Sequence, residues 1–497
     1  MPQMELEPQE SPADYELDLA AVKKRTITGV AILVFRNYFL SIVSLLGFTL
    51  VTIFLKADEF GVFIIVSAVV DFFNYFSDVG LAAALVQKHE KPTLSDLRST
   101  FTIQQLLVTS SIVVGLLVSP LVKNWYQLSS VQLNLFYAVL ASFWLSSLKS
   151  IPSVILERKL EFQKIVAVQL VENILFYTLV VFFAWRGFGV TSYTIAVPVR
   201  SLVGVILLYV IAPWQIGFGF DKESLRHLFR FGIPYQVNTF LALLKDKLMT
   251  ILLGKIIGPA GIGYAGWAEK WANLPLRNFM DPVNTVTFPG YSRLQKDIDQ
   301  LSRLVSRSLF FITALVFPAV VGMVILAPWF ILLVPKYSKW QPALLALSLY
   351  AVNSAWSSVS THLTNLLNAV GRIRWTFYLM IFWTVLTWLL TPALAWKFNF
   401  TGVALAQAII GSTSFITIWL ARKETPFNLA GVGKNILSTI ILAAALLVGK
   451  MFVSPSWFSL VGLIAVSGAL YAGALYFLTG GAVVADAKSL LSSLKKS

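Results

Sequence analysis

The feature that most constrains this chain is a succession of long apolar runs separated by short connections. A helix that crosses a bilayer needs about 20 predominantly apolar residues. Of the 497 residues, 57% are hydrophobic and only 13% are charged, whereas a soluble protein of this size carries about 25% charged residues. The sequence therefore predicts an all-α polytopic membrane protein.

Fourteen runs match the length and polarity of a membrane-spanning helix. They cover residues 28–55, 60–86, 99–122, 132–155, 165–185, 189–212, 230–255, 260–288, 305–335, 341–368, 373–396, 400–421, 434–453 and 457–479. We refer to them as spans 1 to 14. The longest connections, 213–229 and 289–304, are predicted to form amphipathic helices on the membrane surface.

Lysine and arginine are distributed unevenly between alternate connections. If the N-terminus is cytoplasmic, the inner connections and tails hold about three times as many basic residues as the outer connections. Cytoplasmic loops accumulate these residues, so we predict that both termini are cytoplasmic. The same bias accounts for the formal charge of +15 without a nucleic-acid partner. Residues 1–26 lack the pattern of a secretory signal and are predicted to be an acidic cytoplasmic tail, and 480–497 a second tail.

Two short motifs recur in the two halves of the chain. The sequence AWRGFGV at 184–190 resembles AWKFNFT at 395–401, and EFGVF at 59–63 resembles GIGYA at 261–265, about 202 residues later. A separation of six spans gives both copies the same orientation, so an axis along the membrane normal would relate them. The predicted organisation is two six-helix lobes in a pseudo-twofold arrangement plus two C-terminal helices. The ranges are an N-lobe at 27–212, a linker at 213–229, a C-lobe at 230–422 and spans 13 and 14 at 434–479.

Span 8 carries a polar face inside an apolar run. Glu269, Asn273, Arg277 and Asp281 are spaced four residues apart and therefore share one side of a helix. A charge in hydrocarbon costs several kcal/mol, so such residues usually face a water-filled cavity or an opposite charge. We expect this face to line a central cavity. An Arg277–Asp281 ion pair within the helix is the structural alternative.

Span 2 carries a similar face formed by Asp71, Asn74 and Asp78. The repeat gives spans 2 and 8 equivalent places in the two lobes, so we expect their polar faces to oppose each other. Asp78 lies near the cytoplasmic end, where a helix-end or gate contact is an equal alternative.

Further charges interrupt spans 1, 5, 6 and 7. Lys245, Asp246 and Lys247 are consecutive and diverge by about 100° each, so all three cannot face one cavity of an unbroken helix. Arg200 lies near the middle of span 6 and needs a partner, for which Glu172 of span 5 is a candidate. The predicted anion-binding residues of the cavity are Arg36, Arg200, Lys245, Lys247, Lys270 and Arg277. The predicted coupling or gating carboxylates are Asp71, Asp78, Asp246, Glu269 and Asp281.

Several functional classes lack their signatures. The chain has no cysteine, and its three histidines are widely separated, so we predict no metal site. A phosphate-binding GxxxxGK[ST] motif is absent, which excludes an ATP-driven pump within the chain. No long outer loop exists to hold a catalytic site, so we predict a transporter rather than an enzyme. We predict no cofactor, and coupling to protons or sodium through the intramembrane carboxylates is left open.

A family resemblance is carried by short motifs along nearly the whole chain, about residues 25–480. They are Glu59-Phe60-Gly61, Asp78-Val79-Gly80-Leu81 followed by Gln87, Arg158-Lys159-Leu160-Glu161-Phe162, Phe231-Gly232-Ile233-Pro234, Gly258 to Tyr264, Phe288-Pro289-Gly290-Tyr291-Ser292-Arg293-Leu294 and Asn368-Ala369-Val370-Gly371-Arg372. In this order they resemble the Wzx-type polysaccharide flippases of the multidrug/oligosaccharidyl-lipid/polysaccharide exporter superfamily.

The resemblance implies a V-shaped pair of lobes around a cationic cavity lined by spans 1, 2, 7 and 8. It also implies a bacterial plasma-membrane location and movement of polyprenyl-diphosphate-linked glycans between leaflets. The expected partners are that glycan, membrane lipids and, as a candidate, the polysaccharide polymerase or export machinery.

Three alternatives remain open from the sequence. A multidrug antiporter of the same superfamily would have twelve spans and an acid-lined cavity. A lipid II flippase would share the architecture. A membrane-embedded glycan polymerase or transferase would need a group of catalytic carboxylates at one membrane surface, which the sequence does not offer.

Overall fold

The computed structural model describes residues 39–75, 80–88, 90–222 and 247–480, which form helices joined by short turns. The helices are α1 (Phe39–Phe54), α2 (Ala57–Tyr75), α3 (Leu81–Gln87), α4 (Leu94–Tyr126), α5 (Ser130–Leu148), α6 (Ser150–Arg158), α7 (Phe162–Trp185), α8 (Thr191–Ile211), α9 (Met249–Leu294), α10 (Ile298–Leu333), α11 (Leu344–Ala369), α12 (Ile373–Ser412), α13 (Phe415–Glu424), α14 (Ala430–Phe452) and α15 (Trp457–Thr479). A 3₁₀ helix at Tyr337–Ala343 connects α10 to α11. Within these ranges, nine helical segments are long and apolar enough to cross a membrane.

Each of the fourteen predicted spans contains helical residues, so a fourteen-span topology is compatible with the structure. Two long helices each hold parts of two spans. Gly258 breaks α9 between spans 7 and 8 with a φ of 68°, and Asn399 breaks α12 between spans 11 and 12 with a φ of 55°. Glycine and asparagine tolerate this left-handed region better than other residues, which explains why the chain bends there.

The first predicted surface helix, at 213–229, lies partly outside the described residues, so it stays a prediction. Residues 213–221 are irregular, and two of their backbone N–H groups bond to side chains of α4: Gly219 N donates to Thr102 Oγ1 at 3.0 Å and Asp221 N to Ser99 Oγ at 3.0 Å. The second predicted surface helix, at 289–304, is not a separate element. The flanking helices α9 and α10 extend through it and leave only 295–297 between them.

The two halves of the chain meet where α2 crosses α9. A Cβ atom added to Gly61 would overlap the carbonyl oxygen of Pro259, and one added to Gly263 would overlap the carbonyl oxygen of Ala57. The two contacts are reciprocal: Gly61 and Gly263 occupy equivalent positions, as do Ala57 and Pro259, and each equivalent pair is separated by 202 residues, the offset of the predicted repeat. A pseudo-twofold axis through the crossing accounts for this symmetry. The lobe boundaries themselves remain a prediction.

The 3₁₀ helix closes the same end of the molecule from one side. The carbonyls of a helix's last turn have no partner within the helix, and two of those of α1 accept hydrogen bonds here: Thr52 O from Trp340 Nε1 at 2.9 Å and Ile53 O from Lys339 Nζ at 2.8 Å. The Thr52 hydroxyl also bonds the Tyr337 hydroxyl at 2.7 Å. These bonds join residues of the predicted N-lobe to residues of the predicted C-lobe.

Candidate functional site: a central cavity between the helices

A cavity of about 1200 Å³ lies between α1, α2, α7 and α9. Its lining along α9 runs from Gly266 to Val286, a length of about 30 Å at 1.5 Å per residue. Gly266 is one turn beyond Gly263, and a Cβ atom added to it would meet Ile64 and Phe60 of α2. The α2–α9 crossing therefore closes one end of the cavity, the end predicted to face outward.

The charged wall of the cavity belongs to α9. Glu269, Lys270, Arg277 and Asp281 all line it. Residues separated by four, seven or eight positions share one side of a helix, which explains why α9 presents them together. The Arg277 guanidinium lies 3.5 Å from the Asp281 carboxylate, yet 70% of the Arg277 side chain and 46% of the Asp281 side chain are exposed. The ion pair and the cavity-facing position, which the sequence leaves as alternatives, occur together.

The opposite wall is mainly apolar and aromatic. The α1, α2 and α7 residues that line it include Phe48, Phe60, Phe63, Ile64 and Tyr177. Sequence reasoning does not single out these aromatic residues, because 14% of the chain is aromatic and most such residues pack in cores or face lipid.

Contacts behind the cavity wall hold three of its residues in place. The Phe63 ring stacks on Tyr193 with centroids 4.0 Å apart and planes at 4°. The Tyr177 ring packs closely against Gly47 of α1, where an added Cβ atom would overlap the ring. On α9, the amide oxygen of Asn273 accepts a 2.8 Å hydrogen bond from the buried Ser354 hydroxyl.

The polar face predicted for span 2 lies partly outside the described residues, because Asp78 is among those not described. Of the described α2 residues, those that line the cavity are Phe60, Phe63 and Ile64. Asp71 lies two turns further along α2 and forms an ion pair with Lys247, at 2.5 Å. Both side chains are about 40% exposed. Two residues predicted for separate roles, coupling and anion binding, are thus partners between the predicted lobes.

The predicted pairing of Arg200 with Glu172 is wrong. Glu172 pairs with Lys149 of the α5–α6 junction at 2.5 Å, and its carboxylate packs against Gly204 of α8. Arg200 instead stacks its guanidinium over the Phe176 ring, 5.1 Å from the centroid. Glu172 lies on α7 and Arg200 on α8, as predicted, but the rotation of each helix about its axis directs these side chains to other neighbours. Arg200 therefore sits behind the aromatic wall rather than among the residues that line the cavity.

Four of the predicted site residues lie outside the described residues. They are Arg36, Asp78, Lys245 and Asp246. The predicted tails at 1–26 and 481–497 and the second half of the linker lie outside them as well.

The cavity combines the chemistry needed for an amphiphilic anion. Lys270 and Arg277 offer donors suited to phosphate oxygens, and Glu269 and Asp281 offer acceptors. The aromatic wall offers apolar surface. A ligand with both a charged and an apolar or ring-shaped part matches this arrangement better than a simple ion does.

Comparison with known proteins places the chain in a family. A family model described as polysaccharide biosynthesis protein matches residues 50–345. The succinoglycan biosynthesis transport protein ExoT of Rhizobium meliloti (strain 1021) is 25% identical over 369 residues, which cover 74% of this chain and 71% of ExoT. The lipopolysaccharide biosynthesis protein WzxC of Escherichia coli (strain K12) is 24% identical over 379 residues, 74% of each chain.

Solved structures show the same fold. The lipid II flippase MurJ in an inward closed conformation superposes with a TM-score of 0.74 at 16% identity, over 90% of this chain and 99% of MurJ. An inward-facing multidrug resistance MATE transporter superposes less well, with a TM-score of 0.55 at 13% identity over 79% of this chain and 98% of the transporter. The predicted all-α membrane fold is confirmed. Because the family model matches more than half of the sequence, this chain belongs to the family of polysaccharide biosynthesis proteins.

Proposed function

We propose that the protein is a flippase for polyprenyl-diphosphate-linked oligosaccharides. The substrate's sugar and diphosphate enter the central cavity from the cytoplasmic leaflet while its polyprenyl tail stays in lipid. The cavity then opens toward the outer leaflet by alternating access. The membrane is the bacterial plasma membrane, and both termini lie in the cytoplasm.

The observation that carries this proposal is the composition of the cavity walls. Lys270 and Arg277 provide two cations for a diphosphate, beside an aromatic surface of a size suited to sugar rings. ExoT and WzxC, whose names associate them with polysaccharide biosynthesis, support a glycan substrate. The fold of MurJ, a lipid II flippase, supports a lipid-linked one.

Two other substrates are the alternatives. A multidrug antiporter would carry soluble organic cations. The positive charges of Lys270 and Arg277 in the cavity disfavour binding of such cations. Lipid II is itself a diphosphate lipid, so it differs from the proposed substrate in the attached group rather than in the charge.

Energy coupling is proposed to use protons or sodium ions. Glu269 and Asp281 are the proposed carboxylates for this step, because both line the cavity and an acidic group in a transport pathway commonly serves it. The polysaccharide polymerase or export machinery is the proposed protein partner.

The test is leaflet accessibility of a polyprenyl-diphosphate oligosaccharide in proteoliposomes that contain the full chain. Wild type is expected to move the lipid, and the double variant Lys270→Ala plus Arg277→Ala to lower the rate by at least about tenfold, because each removes a charge-assisted contact to phosphate.

Two controls sharpen the result. Lys270→Arg plus Arg277→Lys keeps both charges and should retain much of the activity. Lys434→Ala removes an exposed lysine far from the cavity, on α14, and should behave as wild type. Transport of an organic cation without transport of the lipid would establish the antiporter instead.

A further inference from the structure

The charged residues of the cavity lie at different depths. Phe60 and Gly266 are at the closed end, beside the α2–α9 crossing. Along α9, Lys270 follows Gly266 by about 6 Å, Arg277 by about 16 Å and Asp281 by about 22 Å. Glu269 and Lys270 therefore share the closed end with Phe60, whereas Arg277 and Asp281 lie farther from it.

The aromatic part is preorganised. Phe63 is fixed by its stacking on Tyr193, and Tyr193 is itself buried. Tyr177 is held by close packing of its ring against Gly47 of α1 and by an edge contact with Phe176, at 5.2 Å between centroids. Rings that are already immobilised lose little conformational entropy on binding, so they form a platform rather than a deformable lining.

Polar groups suited to hydroxyls lie beside this platform. The Ser354 hydroxyl donates a hydrogen bond to the amide oxygen of Asn273. The amide NH₂ of Asn273 can therefore donate to other acceptors. Glu269 lines the cavity one turn earlier and contributes carboxylate oxygens. A donor and an acceptor one turn apart on α9, together with the aromatic wall of the same cavity, match a sugar ring, which has hydroxyls at its edge and C–H groups on its faces.

We infer that Phe63, Tyr177, Glu269 and Asn273 form a sugar-binding subsite, distinct from a diphosphate subsite around Arg277. The substrate enters sugar first, with its sugar toward the closed end and its diphosphate about 10 Å behind, at Arg277. Lys270 directly follows Glu269 and precedes Arg277 by about 10 Å along α9, so it lies beside the sugar subsite. The inference rests on the proposed function and adds to it which residues discriminate between glycans.

The subsite is tested with two lipids in proteoliposomes that contain the full chain. One is a polyprenyl diphosphate that carries a disaccharide, and the other is the same polyprenyl diphosphate without sugar. Phe63→Leu keeps the apolar character and removes the flat ring. It should lower transport of the disaccharide lipid by about tenfold and leave the sugar-free lipid within about twofold of wild type. Arg277→Gln should lower transport of both lipids.

A second variant guards against a packing defect of Phe63→Leu. Asn273→Leu changes the polar side of the subsite without touching Tyr193 and should show the same selectivity for the disaccharide lipid. Equal loss of both lipids in both variants, or no loss of either lipid, would overturn the subsite while leaving the flippase proposal intact. Failure of wild type to move either lipid would overturn the flippase proposal and the subsite with it.

Discussion

Gly61 and Gly263 face each other where α2 crosses α9, and a Cβ atom on Gly61 would lie only 2.8 Å from the backbone nitrogen of Gly263. Each glycine also lies against a backbone carbonyl of the opposite helix. Backbone atoms cannot rotate away as a side chain can, so the absence of a side chain is what allows the two helices to touch. This contact closes the cavity at the predicted outer end.

The first prediction concerns this crossing. Gly61→Ala or Gly263→Ala should prevent full closure, because overpacking of this kind costs about 1–3 kcal/mol. The chain has no native cysteine, so Ser44→Cys provides a single thiol in the cavity. A membrane-impermeant thiol reagent added from outside should label this thiol faster in the alanine variants, and transport should fall.

The matched control for this experiment is Gly473→Ala on α15, where an added methyl group meets open space. It should label and transport as wild type does. Unchanged labelling in Gly61→Ala would show that the crossing is not the outer closure.

The second prediction concerns the ion pair between Asp71 and Lys247. Both side chains are about 40% exposed, so the pair should add only about 0.2–1 kcal/mol to stability. Asp71→Asn should therefore leave thermal unfolding nearly unchanged. Because the pair joins the two predicted lobes, however, its loss should lower the transport rate. The exchange Asp71→Lys plus Lys247→Asp should restore part of the transport rate that either single change removes. Absence of any recovery in the exchanged pair would argue that the two residues act separately.

The third prediction concerns the buried pair of Lys149 and Glu172. Glu172 is 8% exposed, and Lys149→Met would leave its carboxylate without its cation, at a cost of about 3–5 kcal/mol. The unfolding temperature of the purified protein should drop markedly. The double variant Lys149→Met plus Glu172→Gln removes both charges and should recover most of that loss. A double variant as unstable as the single one would contradict an ion-pair origin.

The fourth prediction concerns pH. Lys339 lies outside the spans, and its burial against α1 lowers the pKa of its ammonium group to about 8. When the 3₁₀ helix separates from α1, Lys339 is solvated and its pKa returns to about 10.5. Between these values the separated state holds a proton that the closed state has released. The closed state is therefore favoured increasingly as the pH rises from 8 to 10.5. Below pH 8 it carries the full free-energy cost of burying the protonated Lys339 ammonium group.

The measurement is the distance distribution between spin labels on Asn124→Cys and Ser338→Cys, one on each predicted lobe. The population with the shorter distance should grow between pH 8 and pH 10. In a Lys339→Met background, which keeps the length of the side chain and removes its titration, the populations should not change over this range. An identical pH response in that background would assign the effect to another group.

The local part of this structure follows from the sequence because it depends on near neighbours in the chain. Apolar run length predicts the helices, and four-residue spacing predicts that Glu269, Asn273, Arg277 and Asp281 share a face. That face does line the cavity. The recurring motifs at 59–63 and 261–265 likewise predict that these two segments occupy equivalent positions. The reciprocal glycine contacts agree with that prediction. Each of these features needs only the geometry of a single helix or a comparison within the chain.

The pairing of helices was decided by the tertiary structure. Glu172 turns to Lys149 rather than to Arg200, Asp71 meets Lys247, and aromatic residues line the cavity wall opposite α9. The physical reason is that helical spacing fixes which side chains share a face but leaves open the rotation and crossing angle of that helix against its neighbours. Those are set by close packing over the whole bundle, as the contact between Gly61 and Gly263 shows.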